Sequence, residues 1–126
     1  MPLVRISLKQ GHTDAYRLAI GKAVHRSLLD AAGVPPGDEF QIISEYDAAG
    51  LIYDPDYLGI ERDDDVVFIQ ITLNEGRTTE VKKALYAQIA DRLTQDPGVR
   101  KQNVVISLVE VPKENWSFGN GEAQYA

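Results

Sequence analysis

The stretch Val4-Arg5-Ile6-Ser7-Leu8-Lys9-Gln10-Gly11-His12-Thr13 occurs a second time, in altered form, 65 residues later, as Ile69-Gln70-Ile71-Thr72-Leu73-Asn74-Glu75-Gly76-Arg77-Thr78. The match continues without a gap, so that residues 4–46 correspond to residues 69–111. Two copies are too few for a solenoid, which needs at least three stacked units. The repeat therefore predicts a single domain, residues 1–126, that arose by duplication and has internal pseudo-twofold symmetry.

Each copy has the pattern of a strand, a helix and a second strand. Apolar and polar residues alternate at the start of each copy, which is the period-2 signature of a strand. Thr13 and Thr78 each follow a short glycine-containing segment and precede a helical pattern, as helix N-caps do. Closing strands are predicted at Phe40–Glu45 and Val104–Val109. Because β-α-β crossovers are right-handed with parallel strands, the sequence predicts an α+β fold: a four-stranded mixed sheet with two helices on one face.

This arrangement leaves the second face of the sheet without cover. We expect that face to carry apolar residues, Phe68, Ile106 and Leu108 among them, between polar neighbours. Association with further copies of the chain is the simplest way to cover it. The linker between the two copies is expected to add a short strand near Leu51–Tyr53, and the segment Asn115–Gly121 a hairpin or a loop that packs on a neighbour.

Composition excludes several classes of function. With 126 residues, 44% of them hydrophobic and 25% charged, the chain has an ordinary globular composition. Its formal net charge of −6 argues against a nucleic-acid partner, which requires a cationic surface. No apolar run approaches the ~20 residues that span a bilayer, so no membrane partner is expected. The start, Met1–Arg5, has no secretory pattern, which predicts a cytoplasmic location.

Metal and thiol chemistry also lack candidates. The chain has no cysteine, which excludes thiol catalysis, disulfides and cysteine-bound metal clusters. The two histidines, His12 and His25, are not spaced as metal ligands. We therefore expect neither a metal nor a cofactor.

Proline at position 2, directly before the first strand, is the first candidate for chemistry. Loss of Met1 would expose a secondary amine at Pro2. An α-amino group titrates near 7.7–8.0, and an apolar pocket or a nearby cation lowers that pKa further. Such a group can act as general base or general acid at neutral pH. The alternative is that Pro2 is only a proline tolerated at the start of a strand.

Three features together carry a family resemblance: Pro2 ahead of the β-α-β duplication, Gly33-Val34-Pro35-Pro36-Gly37-Asp38, and Trp116-Ser117-Phe118-Gly119. In this order they resemble the tautomerase superfamily, above all its malonate semialdehyde decarboxylase branch. The resemblance spans essentially the whole chain. It implies a homotrimer whose sheets form the inner wall, with an active site around each amino-terminal proline.

The resemblance also implies roles for individual residues. Pro2 matches the catalytic proline, and Asp38 matches an aspartate that handles water or tunes the proline. Trp116 and Phe118 match aromatic residues that line the pocket. From the residues alone, Asp38 could equally be a turn residue after Pro-Pro-Gly, and the two aromatic residues could simply pack in an interface.

The chain departs from the branch at one point. The Arg-x-Arg pair that binds the substrate carboxylate in its best-known members corresponds to Asn74 and Gly76 here, and Arg77 follows one residue later. Arg77 precedes the second predicted helix, where a carboxylate would meet both the guanidinium and backbone N–H groups. We expect Arg77 to take over this role.

Together these expectations predict an enzyme that acts on short oxo-carboxylic acids, with the Pro2 amine as general acid or base. Its reaction would be keto–enol tautomerisation, malonate semialdehyde-type decarboxylation or hydration, or more than one of these. Two alternatives remain: a non-catalytic trimeric binding protein on the same scaffold, and an unrelated ferredoxin-like domain that would be a monomer or dimer.

Overall fold

The chain folds into two successive β-α-β units. The computed structural model describes residues 1–126. In chain order its strands and helices are β1 (Leu3–Lys9), α1 (Asp14–Ala32), β2 (Phe40–Tyr46), β3 (Val67–Asn74), α2 (Thr79–Gln95) and β4 (Val104–Val111). The two closing strands extend one and two residues beyond the predicted ends.

The four strands form one mixed sheet in the order β2-β1-β3-β4. Within each unit the two strands are parallel, and the units meet where β1 runs antiparallel to β3. Both helices pack on one face of the sheet, so the predicted α+β architecture is confirmed. Neither helix is long and apolar enough to cross a membrane.

Matching threonine caps start the two helices. The Thr13 hydroxyl accepts a hydrogen bond from the backbone N–H of Tyr16 at 3.1 Å, and the Thr78 hydroxyl accepts one from Val81 at 3.2 Å. Each bond satisfies a backbone donor that the first helical turn leaves free, which typically contributes about 1 kcal/mol. Both predicted N-caps are confirmed.

The hydrophobic core lies between the helices and one face of the sheet. Its 16 buried residues are Val4, Ile6, Leu8, Ile20, Ala23, Val24, Leu28, Val34, Val67, Ile69, Ile71, Leu73, Leu85, Ile89, Leu93 and Val99. Alternate residues of β1 and β3 point into this core, and the residues between them face the other way.

The second sheet face is open, but its membership differs from the expectation for β4. Ile106 pairs with Ile69 and Leu108 with Ile71, so both side chains lie on the helix side and pack against the core. The prediction that they face away from the helices was wrong. β4 is apolar on both faces, and only its register with β3 decides which residues are covered.

The linker holds no strand at Leu51–Tyr53, so this prediction was also wrong. Leu51 is buried and Ile52 is 81% exposed, so burial alternates here as it does in a strand. The segment does not pair with any strand of the sheet. The linker is instead held by Arg62, whose Nη1 donates to the carbonyls of Tyr57 and Ile60 at 3.1 and 3.2 Å.

Candidate active site

One end of the sheet brings together the residues singled out from the sequence. Leu3 pairs with Phe40 of β2 on one side and with Thr72 of β3 on the other. At the same end, Asn74 of β3 pairs with Val111 of β4. Because β1 and β2 begin where β3 and β4 end, the segments flanking all four strands converge there. We call this end of the sheet the proline corner.

The amino end of the chain lies in the proline corner. Pro2 is buried and Met1 is half-buried. Burial lowers the pKa of the Met1 amino group; the negative charge of Asp38 opposes this shift, and the positive charge of Arg77 adds to it. The amino end is therefore close enough to both side chains for their charges to act on it.

Arg77 is held by two backbone carbonyls. Its Nε donates to the carbonyl of Ala32 at the end of α1, and its Nη1 donates to the carbonyl of Asn74, both at 3.1 Å. A guanidinium has five N–H donors, so three remain for a ligand. Arg77 also directly precedes Thr78, the N-cap of α2, as the sequence predicted. The arrangement can bind an anion at a helix start.

Asp38 closes a turn and lies near the amino end of the chain. Its backbone N–H donates to the carbonyl of Pro35 at 3.0 Å, which closes the turn after α1. Its half-buried side chain precedes β2, and its charge acts on the amino end of the chain. The turn thus positions a carboxylate beside the place where a proline amine would be exposed.

Stacked aromatic rings form one wall of the proline corner. The ring of Phe118 stacks on Trp116 at 5.1 Å between centroids and on Phe40 at 6.3 Å, and Tyr125 meets its edge at 5.3 Å. The Trp116 indole N–H donates to Oδ1 of Asn74 at 2.8 Å. The predicted aromatic residues therefore reach the same corner as Pro2, Asp38 and Arg77.

The carboxyl-terminal segment is a loop that packs on its own chain. Gln124 braces it, because its side-chain oxygen accepts from the Phe118 N–H and its nitrogen donates to the Gly119 carbonyl, both at 2.9 Å. The expected alternatives were a hairpin or a loop on a neighbour. The structure shows the loop, with Phe118 against Phe40 of the same chain.

Sequence reasoning missed three members of the corner: Phe40, Asn74 and Tyr125. Phe40 follows Asp38 by two residues at the start of β2, and it is 46% exposed. Asn74 was noticed only as a departure from a motif, and nothing in the sequence marked Tyr125. No group of three or more acidic or histidine side chains is arranged to hold a metal ion.

Comparisons with known proteins match this architecture over the whole chain. Two family models, both described as tautomerase enzyme, match residues 38–119 and residues 2–60. The probable tautomerase YusQ of Bacillus subtilis is 44% identical over 124 residues, which cover 98% of each protein. The 2-hydroxymuconate tautomerase of Pseudomonas putida is 39% identical over 57 residues, which are 90% of that protein and 45% of this chain.

Solved structures give the same result. FG41 malonate semialdehyde decarboxylase, inhibited by 3-bromopropiolate, is 36% identical with a TM-score of 0.91, over 98% of this chain and 93% of that one. A fused 4-OT described as a symmetric trimer is 27% identical with a TM-score of 0.79, over 98% and 97% of the two chains. The duplicated β-α-β fold with its corner at the first strand thus defines a class of small enzymes. The chain belongs to the tautomerase family of enzymes.

Proposed function

We propose that the enzyme transfers a proton on short oxo-carboxylic acids, using the secondary amine of Pro2 after removal of Met1. The observation that carries this proposal is the convergence of the amino end, Asp38 and Arg77 in the proline corner, where burial lowers the pKa of the Met1 amino group. The same surroundings would favour the neutral form of a Pro2 amine, and a general acid–base catalyst must exchange its proton readily.

In the tautomerase reaction, the neutral Pro2 amine takes a proton from the carbon next to the carbonyl or from the enol oxygen, and returns it at the other position. Arg77 holds the substrate carboxylate with its free guanidinium N–H groups. The rings of Trp116 and Phe118 pack against the substrate's carbon chain and keep water away. The relatives named tautomerase support this reaction.

In the decarboxylase reaction, the protonated Pro2 amine polarises the 3-oxo group of a substrate such as malonate semialdehyde. The bond to the carboxylate carbon breaks, carbon dioxide leaves, and the resulting enolate is protonated by the same amine. Asp38 orients water for the related hydration. The likeness to a malonate semialdehyde decarboxylase supports this reaction. The two chemistries differ in the working protonation state of Pro2.

The proposal includes a homotrimer of this chain. The open face of the sheet has a groove of about 310 Å³ whose lining includes Arg5, Phe68 and Val105. On β2 next to it, Phe40 and Ile42 are 46% and 40% exposed. Apolar side chains exposed in this way among polar ones favour cover by further copies of the chain, and the fused 4-OT relative is described as a trimer.

Blocking the amine tests the proposed function. Intact mass first establishes whether Met1 is absent from the purified enzyme. A form that retains Met1 ties the nitrogen of Pro2 into an amide, so turnover of phenylpyruvate enol should fall by at least ~10²-fold, the usual size of a general acid–base contribution. Pro2→Ala alters the amine without blocking it, so the turnover of this variant should lie between that of the form with Met1 and that of the unmodified enzyme. Unchanged activity in the blocked form would exclude the mechanism.

A further inference from the structure

The carboxyl-terminal loop reverses direction at Asn120-Gly121. Both residues have positive φ, 59° and 69°, and the N–H of Glu122 donates to the carbonyl of Gly119 at 3.3 Å. These features define a type I′ turn, whose two central residues are left-handed and are commonly Asn-Gly. All four residues of the turn are exposed, so solvent reaches the side chain of Asn120.

An asparagine followed by glycine has a nucleophile next to its own side-chain amide. The backbone nitrogen of Gly121 can attack Cγ of Asn120, which forms an N–Cγ bond and breaks the Cγ–Nδ2 bond. The amide group leaves as ammonia and takes the proton of the backbone N–H. Water then opens the five-membered imide at either of its two carbonyls, which gives aspartate or isoaspartate. No other asparagine of the chain is followed by glycine.

Gly121 leaves the approach to its nitrogen unobstructed. It has no side chain, and a Cβ built there would meet no atom within 4 Å. A larger residue after Asn120 would shield the nitrogen with its own side chain. Asparagine is also among the residue types that are chemically labile on heating. Sequence and surroundings therefore both expose this amide to loss.

The closed turn holds the reacting atoms apart. The imide ring requires the nitrogen of Gly121 to lie on the same side of the Asn120 Cα–C bond as the Asn120 side chain. In a type I′ turn ψ of the first central residue is about +30°, which places that nitrogen nearly opposite the side chain. The ring therefore forms only when the turn opens, and the rate depends on the free energy of that opening.

Gln124 resists the opening of the turn. Its side-chain oxygen accepts from the N–H of Phe118, and its nitrogen donates to the carbonyl of Gly119, both at 2.9 Å. The two bonds join the residues before the turn to a residue after it. We propose that Asn120 is a deamidation site of this chain, and that the bonds of Gln124 control how fast it reacts.

The modification reaches the aromatic wall of the proline corner. Either product adds a negative charge to the turn, and isoaspartate also adds a methylene to the main chain between Phe118 and Gln124. A longer main chain changes the spacing that the two bonds of Gln124 span. Phe118 stacks on Trp116 at 5.1 Å between centroids, so weaker bracing of Phe118 exposes the indole.

Peptide mapping tests the site itself. The purified enzyme is incubated in mildly alkaline buffer, which favours loss of the backbone proton, and is then cleaved with trypsin after Lys113. The peptide of residues 114–126 contains both Asn120 and Asn115, and Asn115 is an internal control because Trp116 follows it. We expect conversion of amide to acid at Asn120 alone, with one ammonia released for each. An intact Asn120, or equal conversion at Asn115, would overturn the site.

A second variant tests the control by Gln124. Gln124→Ala removes both bonds to the turn and should speed the conversion of Asn120 by about 10-fold, as the loss of two hydrogen bonds allows. Gln102→Ala is the matched control, because Gln102 is an exposed glutamine far from the loop in sequence, and it should react at the wild-type rate. Equal rates in the wild type and Gln124→Ala would contradict the protective role of the two bonds.

Fluorescence tests the effect on the wall. Trp116 is the only tryptophan, so its emission should move to longer wavelength as Asn120 is converted. Asn120→Gly has no side-chain amide and adopts the left-handed backbone freely, so its emission should stay constant over the same incubation. Unchanged emission in fully converted enzyme, or the same drift in Asn120→Gly, would show that the modification does not act on the wall.

Discussion

Arg5 of β1 lies directly opposite Gln70 of β3, and Gln70 is also the residue that the 65-residue offset makes equivalent to Arg5. On either side of this pair, Val4 pairs with Ile71 and Ile6 pairs with Ile69. The same offset makes Val4 equivalent to Ile69 and Ile6 equivalent to Ile71, so the two pairs are exchanged by the symmetry. The pseudo-twofold axis that relates the two halves therefore passes between Arg5 and Gln70, at the centre of the open sheet face.

The opposite end of the sheet carries the residues that the 65-residue offset makes equivalent to those of the proline corner. There Lys9 and His12 stand where the proline corner has Asn74 and Arg77. The Lys9 ammonium contacts Asp64 at 2.8 Å, and the Tyr53 hydroxyl donates to the same carboxylate at 2.9 Å. Contacts within the chain join the side chains of this second corner around a cavity of about 410 Å³, and the corner supplies matched controls for the first.

The two N-caps provide one such comparison. Thr13→Ala and Thr78→Ala remove equivalent hydrogen bonds, so each should lower the free energy of unfolding by about 1 kcal/mol. Only Thr78 is next to Arg77, so only Thr78→Ala should also reduce kcat/KM. Chemical denaturation and steady-state kinetics on both variants measure the two effects. Equal kinetic losses would show that the start of α2 has no special part in the site.

Replacing Arg77 tests carboxylate binding. Charge-assisted hydrogen bonds contribute roughly 1.5–3 kcal/mol, so Arg77→Ala should lower kcat/KM for a 2-oxo acid by about one to two orders of magnitude. The loss should be much smaller for the uncharged ester of the same acid. Arg77→Lys should restore only part of the activity, because lysine keeps the charge but not the planar fork that meets Ala32 and Asn74.

The control for this experiment is His12→Ala, the equivalent substitution at the second corner, which should leave kcat/KM unchanged. If Arg77→Ala also leaves kcat/KM for the acid unchanged, another cation binds the carboxylate, and Arg77 serves only to join α1 to β3.

Asp38 separates the two chemistries of the proposed function. If its carboxylate orients water, Asp38→Asn should abolish decarboxylase and hydratase activity while much of the tautomerase activity remains. The substitution preserves the backbone bond to Pro35 that closes the turn. Both activities are followed by absorbance assays on the same preparation. Equal losses would mean that Asp38 acts only through the pKa of the Pro2 amine.

The open face predicts the assembly. Ile42 is 40% exposed on β2, where its pairing with Arg5 places it on the open face, so Ile42→Asp should dissociate a trimer. Leu18→Asp introduces the same charge at a 68% exposed site on α1 and should leave the assembly intact. Sedimentation velocity distinguishes the masses. A wild type that sediments as a 14.0 kDa monomer at micromolar concentration would refute the trimer.

Acid stability depends on Asp63. The pKa of Asp63 is lowered first by the backbone N–H of Asp65 and then by the side-chain amide of buried Asn103. A carboxyl with a lowered folded pKa stabilises the native state above its unfolded pKa of about 3.8, and this contribution is lost as the pH falls further. Between pH 5 and pH 3 the melting temperature should therefore fall more steeply in the wild type than in Asp63→Asn. Parallel curves would contradict this contribution.

The fold could be predicted from the sequence because local patterns specify it. Alternation in β1 and β3 and the threonine caps were each visible in short stretches, and each is confirmed by a register or a hydrogen bond. The faces of Ile106 and Leu108 were not predictable in this way. β4 is apolar on both sides, and its register with β3 is a tertiary property.

The candidate site depended on a resemblance more than on local pattern. Pro2, Asp38 and Trp116 are far apart in sequence, and no periodicity connects them. The bond between Trp116 and Asn74 joins residues 42 positions apart, so only the folded chain shows that Asn74 holds the indole. For the same reason the stacking of Phe118 on Phe40 could not be read from either segment alone.

The pseudo-twofold symmetry about Arg5 and Gln70 has a consequence for the number of amine groups that a given mass of protein can present. A free amine exists only at the start of a chain, whereas Val67, the counterpart of Pro2 in the second half, has its nitrogen fixed in a peptide bond. A protein of single β-α-β units can present one amine per unit; this fused chain can present one per 126 residues. Under the proposed mechanism, the second corner takes no part in the reaction, and Lys9, Asp64 and Tyr53 contact one another there instead.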